Sequence, residues 1–192
     1  MAHHNAKVEW QRGDAKFTDN RYSRAHEWSF DGGVRVPASS SPSVVPVPLS
    51  NPDAVDPEEA FVAALASCHM LWFLSIAAKR GFVVDSYEDN AIGELAKNDE
   101  GRLAMQTITL RPAVTFGAGA RPSRADIDAL HHEAHDACYL SNSVRTVHHG
   151  GTGVSRSSIS RRLPKVSSRP LSRSEFAGRR PKKRLKRLLP PG

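Results

Sequence analysis

Nineteen consecutive uncharged residues, Ala60 to Ala78, set the first limit on what this chain can become. A run that long and apolar belongs either in a bilayer or in the middle of a protein core. Its flanks favour the core. Asp56-Pro57-Glu58-Glu59 is a soluble-helix start. Asp56 can accept free backbone N–H groups, Pro57 suits the first helical position, and Glu59 completes a capping-box pattern. Within the run, Ser67, His69, Ser75 and many alanines gain little from lipid. Lys79 and Arg80 suit the negative end of the helix dipole, and Gly81 supplies a C-terminal stop. Phe61, Leu65, Cys68, Trp72 and Ile76 fall on one face at spacings of three and four. The opposite side is also largely apolar, so the pattern predicts a central, buried helix.

Around this helix the chain reads as alternating strands and turns. Lys7–Gln11 and Tyr22–Phe30 predict two strands, Asp31-Gly32-Gly33 a turn, and Val34-Arg35-Val36 the start of a third strand. Residues 37–56 form a Pro- and Ser-rich loop, long enough to have a function of its own, such as covering a site. Ser86–Leu95 and Arg102–Phe116 predict two strands joined by a hairpin loop at Asn98-Asp99-Glu100-Gly101. Ser123, with Asp126 three residues on, caps a second helix whose apolar face is Ile127, Leu130, Ala134 and Ala137 and which ends near Cys138 or Tyr139. Ser143–Val147 begins a last strand, and there the domain pattern stops.

The formal net charge of +7 averages two unlike parts. Residues 1–147 carry 14 Lys and Arg against 19 Asp and Glu, a net −5; residues 148–192 carry 13 against Glu175 alone, a net +12. We therefore read a domain at 1–147 and a basic, low-complexity, disordered tail at 148–192, which cannot bury enough apolar surface to offset chain entropy. Two readings of the tail stand. As a genuine appendage, its Arg179–Arg187 run would bind phosphate backbones without sequence preference. Its abrupt loss of acidic residues and of hydrophobic periodicity instead fits a change of reading frame near codon 147, the reading we favour. The first residues, Met-Ala-His-His-Asn, lack the apolar stretch of a secretion signal, and two cysteines do not make a disulfide scaffold. These features point to a cytoplasmic protein.

Several residues could carry chemistry. Cys68 lies mid-helix on an apolar face, where a small buried core residue is the commonest role. A reactive role needs a cation or donor nearby, and Arg12, Lys16, Arg21 and Arg24 are the candidates in the N-terminal strands. Cys138, at the end of the second helix, is either core packing or the second member of a redox pair. His131, His135 and Cys138 fall on one helical face, so a metal site is geometrically open, but a solvent-exposed histidine-rich edge is the simpler reading. Glu58 and Glu59 compensate the helix dipole, or orient an arginine near Cys68. No nucleophile-elbow, P-loop or dinucleotide fingerprint is present.

Asp56-Pro57-Glu58-Glu59 followed by Ala63-Ala64-Leu65-Ala66-Ser67-Cys68-His69-Met70 resembles the central helix of the OsmC/Ohr family, the osmotically induced and organic hydroperoxide resistance proteins. The shared features are a Pro–Glu pair, a run of small residues, and a cysteine ten residues after the glutamate. Gly81-Phe82-Val83-Val84-Asp85-Ser86-Tyr87, Ile108-Thr109-Leu110-Arg111-Pro112 and Ala134-His135-Asp136-Ala137-Cys138-Tyr139-Leu140-Ser141-Asn142-Ser143-Val144 resemble the segments that follow, over about residues 5–146. Tyr139 stands where many members have Pro. The resemblance implies an α/β (α+β) fold, with curved antiparallel sheets around long central helices in an entwined homodimer whose active sites lie at the interface. It implies a thiol peroxidase acting on organic hydroperoxides and, less efficiently, hydrogen peroxide. Cys68 would be the peroxidatic thiolate, Cys138 the resolving thiol, and Glu58 the partner of an activating arginine, Arg24 first and Arg12 second. Electrons would come from a dithiol such as a lipoyl group or a lipoylated protein, with no bound cofactor, metal or haem. It implies no membrane, and nucleic acid only through the tail. Two other functions remain open: an OsmC-like binder of a small hydrophobic ligand without peroxidase activity, and a polyanion binder acting through the tail.

Overall fold

The computed structural model describes residues 1–144 and 146–149. From Gly150 onward the basic tail expected at 148–192 lies outside the described residues.

The central helix forms as predicted, as α1 (Pro57–Lys79). The Asp56 carboxylate accepts the Glu59 N–H at 2.8 Å, and the Glu59 carboxylate accepts the Asp56 N–H at 3.3 Å, so both halves of the capping box are made. The helix stops at Lys79 with Arg80 as its C-cap, and Gly81 takes the left-handed φ of +78° that a side chain would resist. Among the described residues α1 is the one helix long and apolar enough to cross a membrane, yet only 22% of that apolar window is buried within the chain. Its buried stripe is Leu65, His69, Phe73 and Ala77, one position round from the Phe61, Leu65, Cys68, Trp72, Ile76 face read from spacing. A helix apolar on all sides gives periodicity nothing to choose between, and only its packing partner selects the face.

That partner is α2 (Arg124–Ala137). Its cap is again reciprocal, the Ser123 hydroxyl accepting the Asp126 N–H at 3.2 Å and Asp126 accepting the Ser123 N–H at 2.8 Å. Leu130 and Ala134 of α2 close on Phe73 and Ala77 of α1 to make one apolar core cluster. Full burial of Phe73 and Leu130 contributes about 2 kcal/mol each.

The two long strands expected after α1 are each broken in two. The first becomes β4 (Val84–Asp89) and β5 (Ile92–Lys97), the second β6 (Leu103–Thr109) and β7 (Pro112–Phe116). β5 pairs antiparallel with β6, and β4 with β7, so together they make one long bent hairpin. The break has a chemical cause. Pro112 brings no N–H to the ladder and restricts Arg111, whose own N–H goes to the Asp89 carboxylate at 2.6 Å. The inner end of this hairpin lies on α1, where Leu65 packs with Ile108 and Leu110. β8 (Val147–His149) runs parallel to β6, opposite Thr107–Thr109. The sheet therefore continues past Val147, where the sequence pattern stops. A three-residue strand is too short to show alternation, and its ladder reads backbone rather than side chains.

The N-terminal sheet has antiparallel order β1 (Ala6–Glu9), β2 (His26–Phe30), β3 (Arg35–Ala38), with Val8 opposite Trp28 and Trp28 opposite Val36. β2 starts four residues later than the predicted strand. The backbone groups before it are engaged elsewhere: the Arg24 N–H donates to the Leu49 carbonyl at 2.7 Å, and the Ser23 carbonyl accepts the Trp10 indole N–H at 2.7 Å. β1 is exposed along its whole length, and the sheet makes its main contacts within itself. The Pro/Ser loop returns to this sheet, with Val55 bridging Ala38 and the Ser39 hydroxyl accepting the Asn51 N–H at 2.9 Å.

Candidate active site

Cys68 and Cys138 come from different helices and meet. Cys68 sits three turns into α1, half-buried; Cys138 is the C-cap residue of α2, fully buried. Their sulfurs lie 2.9 Å apart, both as free thiols. A covalent S–S bond of about 2.05 Å is therefore a short side-chain movement away. The two sites differ electrostatically. Burial raises the Cys68 thiol above its ordinary value, and the bond to Cys138 adds to the rise. Burial also pushes Cys138 up, but hydrogen bonds from Cys68, Ser141 and Leu140 outweigh it and hold this thiol below its ordinary value. The Ser141 N–H stands 3.5 Å from the Cys138 sulfur. Two sulfurs this close do not both ionise, so the pair holds one proton between them once the first is lost. Backbone N–H groups reach both sulfurs, those of Leu140 and Tyr139 at Cys68 and those of Ser141 and Leu140 at Cys138, and the balance favours the Cys138 thiolate.

The expected activating groups are elsewhere in the chain. The Arg24 guanidinium donates to the Asn20 carbonyl at 3.1 Å, to the Asn20 side-chain oxygen at 2.7 Å, and to the Tyr22 carbonyl. Its carbon also lies 3.8 Å from the Tyr22 ring centroid, and Trp10 and Phe17 pack against the same ring. Arg24 is thus held in one orientation, and among the described residues no carboxylate pairs with it. Arg12 donates to the Ala15 carbonyl at 2.6 Å. Among the described residues neither arginine bonds to Glu58 or to a cysteine. Glu58, half-buried in the first turn of α1, lines a cavity of about 490 Å³ with Glu59, Asp89, Val62, Ile92 and Met105. Burial raises the Asp89 carboxyl above its ordinary value, against the pull of the Arg111 N–H.

The histidines do not form the metal face or the exposed edge that spacing allows. Among the described residues no group of three or more His, Cys, Asp or Glu side chains converges on a metal position. His132 is exposed, but His131 turns inward and is only 5% exposed. It meets His69, 1% exposed, with Nε2 of His69 and Nδ1 of His131 3.1 Å apart. Sequence reasoning missed this pair. Its signal is a polar residue inside an apolar stripe, His69 between Leu65 and Phe73, and His131 beside Leu130. Beside the thiols, Trp72, one turn beyond Cys68, meets Tyr139 edge-on at 5.5 Å.

Residues 50–149 match the family model for OsmC-like proteins. An OsmC-like protein of unknown function from Vibrio cholerae is 54% identical, matching 77% of this chain and 97% of its own length, with a TM-score of 0.75. The chain belongs to the OsmC family. More distant OsmC folds include an organic hydroperoxide resistance protein from Legionella pneumophila, 16% identical over 77% of this chain and 93% of its own, TM-score 0.56. The organic hydroperoxide resistance protein of Elizabethkingia anophelis is 14% identical over 78% and 92%, TM-score 0.58. At those identities the likeness is one of fold. No curated protein matches. The OsmC fold accounts for the mixed α/β architecture, with antiparallel sheets and two helices.

Proposed function

We propose that this OsmC-family protein is a cysteine-based peroxidase that reduces organic hydroperoxides and, less efficiently, hydrogen peroxide. The observation that carries the reading is the 2.9 Å separation of two free thiols on different helices, one accessible and one enclosed. Access assigns the roles. A peroxide reaches half-buried Cys68 and not fully buried Cys138. The Cys68 thiolate attacks the outer peroxide oxygen. The O–O bond breaks, Cys68 becomes a sulfenic acid, and the alkoxide leaves as the alcohol after taking a proton. The Cys138 thiolate, stabilised by Ser141 and Leu140, then attacks the Cys68 sulfur, forming the disulfide and releasing hydroxide, which is protonated to water. A dithiol reductant of the lipoyl type, free or carried by a protein in the cytoplasm, takes up the disulfide's oxidation and restores both thiols.

Cys68 needs a cation to ionise, and among the described residues of its own protomer no Lys or Arg bonds to it. Glu58 lies ten residues before Cys68 on one helix, about 15 Å along the axis. That distance is too long for one guanidinium to bridge within a chain. In a homodimer Glu58 and Arg24, or Arg12, would reach Cys68 across the interface. Two features favour such a dimer: the outer stripe of α1 (Ala63, Ser67, Leu71, Ser75) is uncharged and exposed, and among the described residues the N-terminal sheet makes its main contacts within itself, with β1 exposed throughout.

The test is rapid mixing of the reduced protein with cumene hydroperoxide, followed by thiol counting. Cys68→Ser abolishes consumption; Cys138→Ser permits a single oxidation and blocks turnover. Multiple turnover in Cys68→Ser, or two thiols that stay reduced in the unaltered protein, overturns the reading and leaves the small-ligand alternative.

A further inference from the structure

Besides the thiol contact, α1 and α2 are joined by a partly exposed ion pair between Arg80, the C-cap of α1, and Glu133 of α2. They are also joined by a hydrogen bond that the peroxidase chemistry does not explain, between His69 Nε2 and His131 Nδ1, 3.1 Å long and buried. The rings are within 7° of parallel, and His131 also stacks on Phe73 at 4.5 Å. His69 is the residue after Cys68; His131 precedes Cys138 by seven residues, about two turns, on α2. The same two helices thus carry both pairs.

The rest of the buried contact is apolar and small, Phe73, Ala77, Leu130 and Ala134, and the Arg80–Glu133 pair lies outside it at the partly exposed end of α1. Hydrophobic burial is non-directional and tolerates sliding, and packed helices shift by about 1–2 Å without losing their cores. A slide of that size would separate the sulfurs beyond reacting distance. A hydrogen bond holds its length to within a few tenths of an ångström, and breaking it in a buried place leaves two ring nitrogens unsatisfied. It therefore supplies the directional restraint that the apolar contact lacks.

We propose that the His69–His131 hydrogen bond is a positioning device for disulfide closure, pinning α2 on α1 so that Cys138 stays within reach of Cys68. This rests on the thiol-pair reading given above. Both histidines act through the helices that carry the thiols, which makes them positioning residues. In this role the bond governs the second chemical step, S–S formation with release of water, and leaves the first oxidation of Cys68 alone.

The experiment uses the full chain with three substitutions of His131. His131→Leu removes the bond at similar bulk. His131→Asn keeps a polar atom near the Nδ1 position, and His131→Gln displaces it by one carbon. Two quantities are read: the effective concentration of the thiol pair in glutathione redox buffers, and, after one equivalent of cumene hydroperoxide, the lifetime of the Cys68 sulfenic acid trapped with dimedone. Loss of alignment in His131→Leu lowers the effective concentration by about tenfold or more and lengthens the sulfenic acid lifetime accordingly, with His131→Asn restoring both. Unchanged closure in His131→Leu, with only its melting temperature altered, makes the pair core packing and overturns the proposal. If His131→Leu does not fold, the comparison of Asn with Gln decides: equal closure in both overturns it, and slower closure in Gln supports it. The glutathione measurement needs no peroxide, so failure of the peroxidase reading and failure of this one are separately visible.

Discussion

Single atoms decide several points in this molecule. Gly93 of β5 faces α1 so closely that an added methyl would stand 2.5 Å from Val62 Cγ2 and 2.7 Å from the Met105 sulfur. Met105 can swing aside, but Val62 is fixed on the helix. Gly93→Ala should therefore cost about 1–3 kcal/mol, read as a lower denaturation midpoint with an unchanged slope. The sequence offers a glycine in a strand but not the side chains it approaches. The cysteines were legible as residues because each sits in a distinctive local string. Their contact was implied only through the family resemblance, because 70 residues, with four strands among them, lie between the two and leave no local signal.

At the scale of elements, the capping boxes at Asp56 and Ser123 were legible because they are local chemistry, settled within four residues. The buried face of α1 was not, and the shift to Leu65, His69, Phe73 and Ala77 is what brings the His69–His131 link between the helices. That link has a pH signature. Burial lowers His131 from 6.5 to about 4, with Asp128 pulling it up and Arg124 pushing it down. From α1, His69 and Phe73 face it. A base whose folded pKa is depressed binds more protons unfolded than folded between the two values. Its contribution is therefore complete above about pH 6.5 and is lost as the pH falls toward 4, a total of about 3 kcal/mol. Urea titrations from pH 7 to pH 4 should show that loss in the unaltered protein and a smaller one in His131→Leu.

For the whole molecule, the described residues leave apolar surface exposed on α1 and on the N-terminal sheet. Leu71, 63% exposed, lies mid-way along the outer stripe of α1, and Val8 and Phe30 of the N-terminal sheet are also exposed. If a second copy covers α1, Leu71→Glu places a carboxylate in that contact. The dimer should then dissociate at micromolar concentration, with peroxide turnover lost alongside it. Sedimentation velocity reads the first and peroxide consumption the second; a dimer that persists, active, in Leu71→Glu moves the interface elsewhere. The split of the predicted strands, begun locally at Pro112, also has a part in the larger fold. A hairpin long enough to span α1 has to bend over it, and Pro112 with Asp89 provides the bend.

The chain by itself determined whatever depends on neighbours in sequence: where helices begin and end, which turns are tight, that the charge is split near residue 147, and that two cysteine strings of one family stand in order. Tertiary structure decided which side of an all-apolar helix is inside, and that Cys68 meets Cys138 and His69 meets His131. It also decided that Arg24 stays with Tyr22 and Asn20 instead of crossing to Glu58 in the same chain. Local signals are hydrogen bonds and dihedral preferences fixed within a turn. Long-range pairings are set by packing, which depends on shape and burial summed over the fold and leaves no trace at any one position.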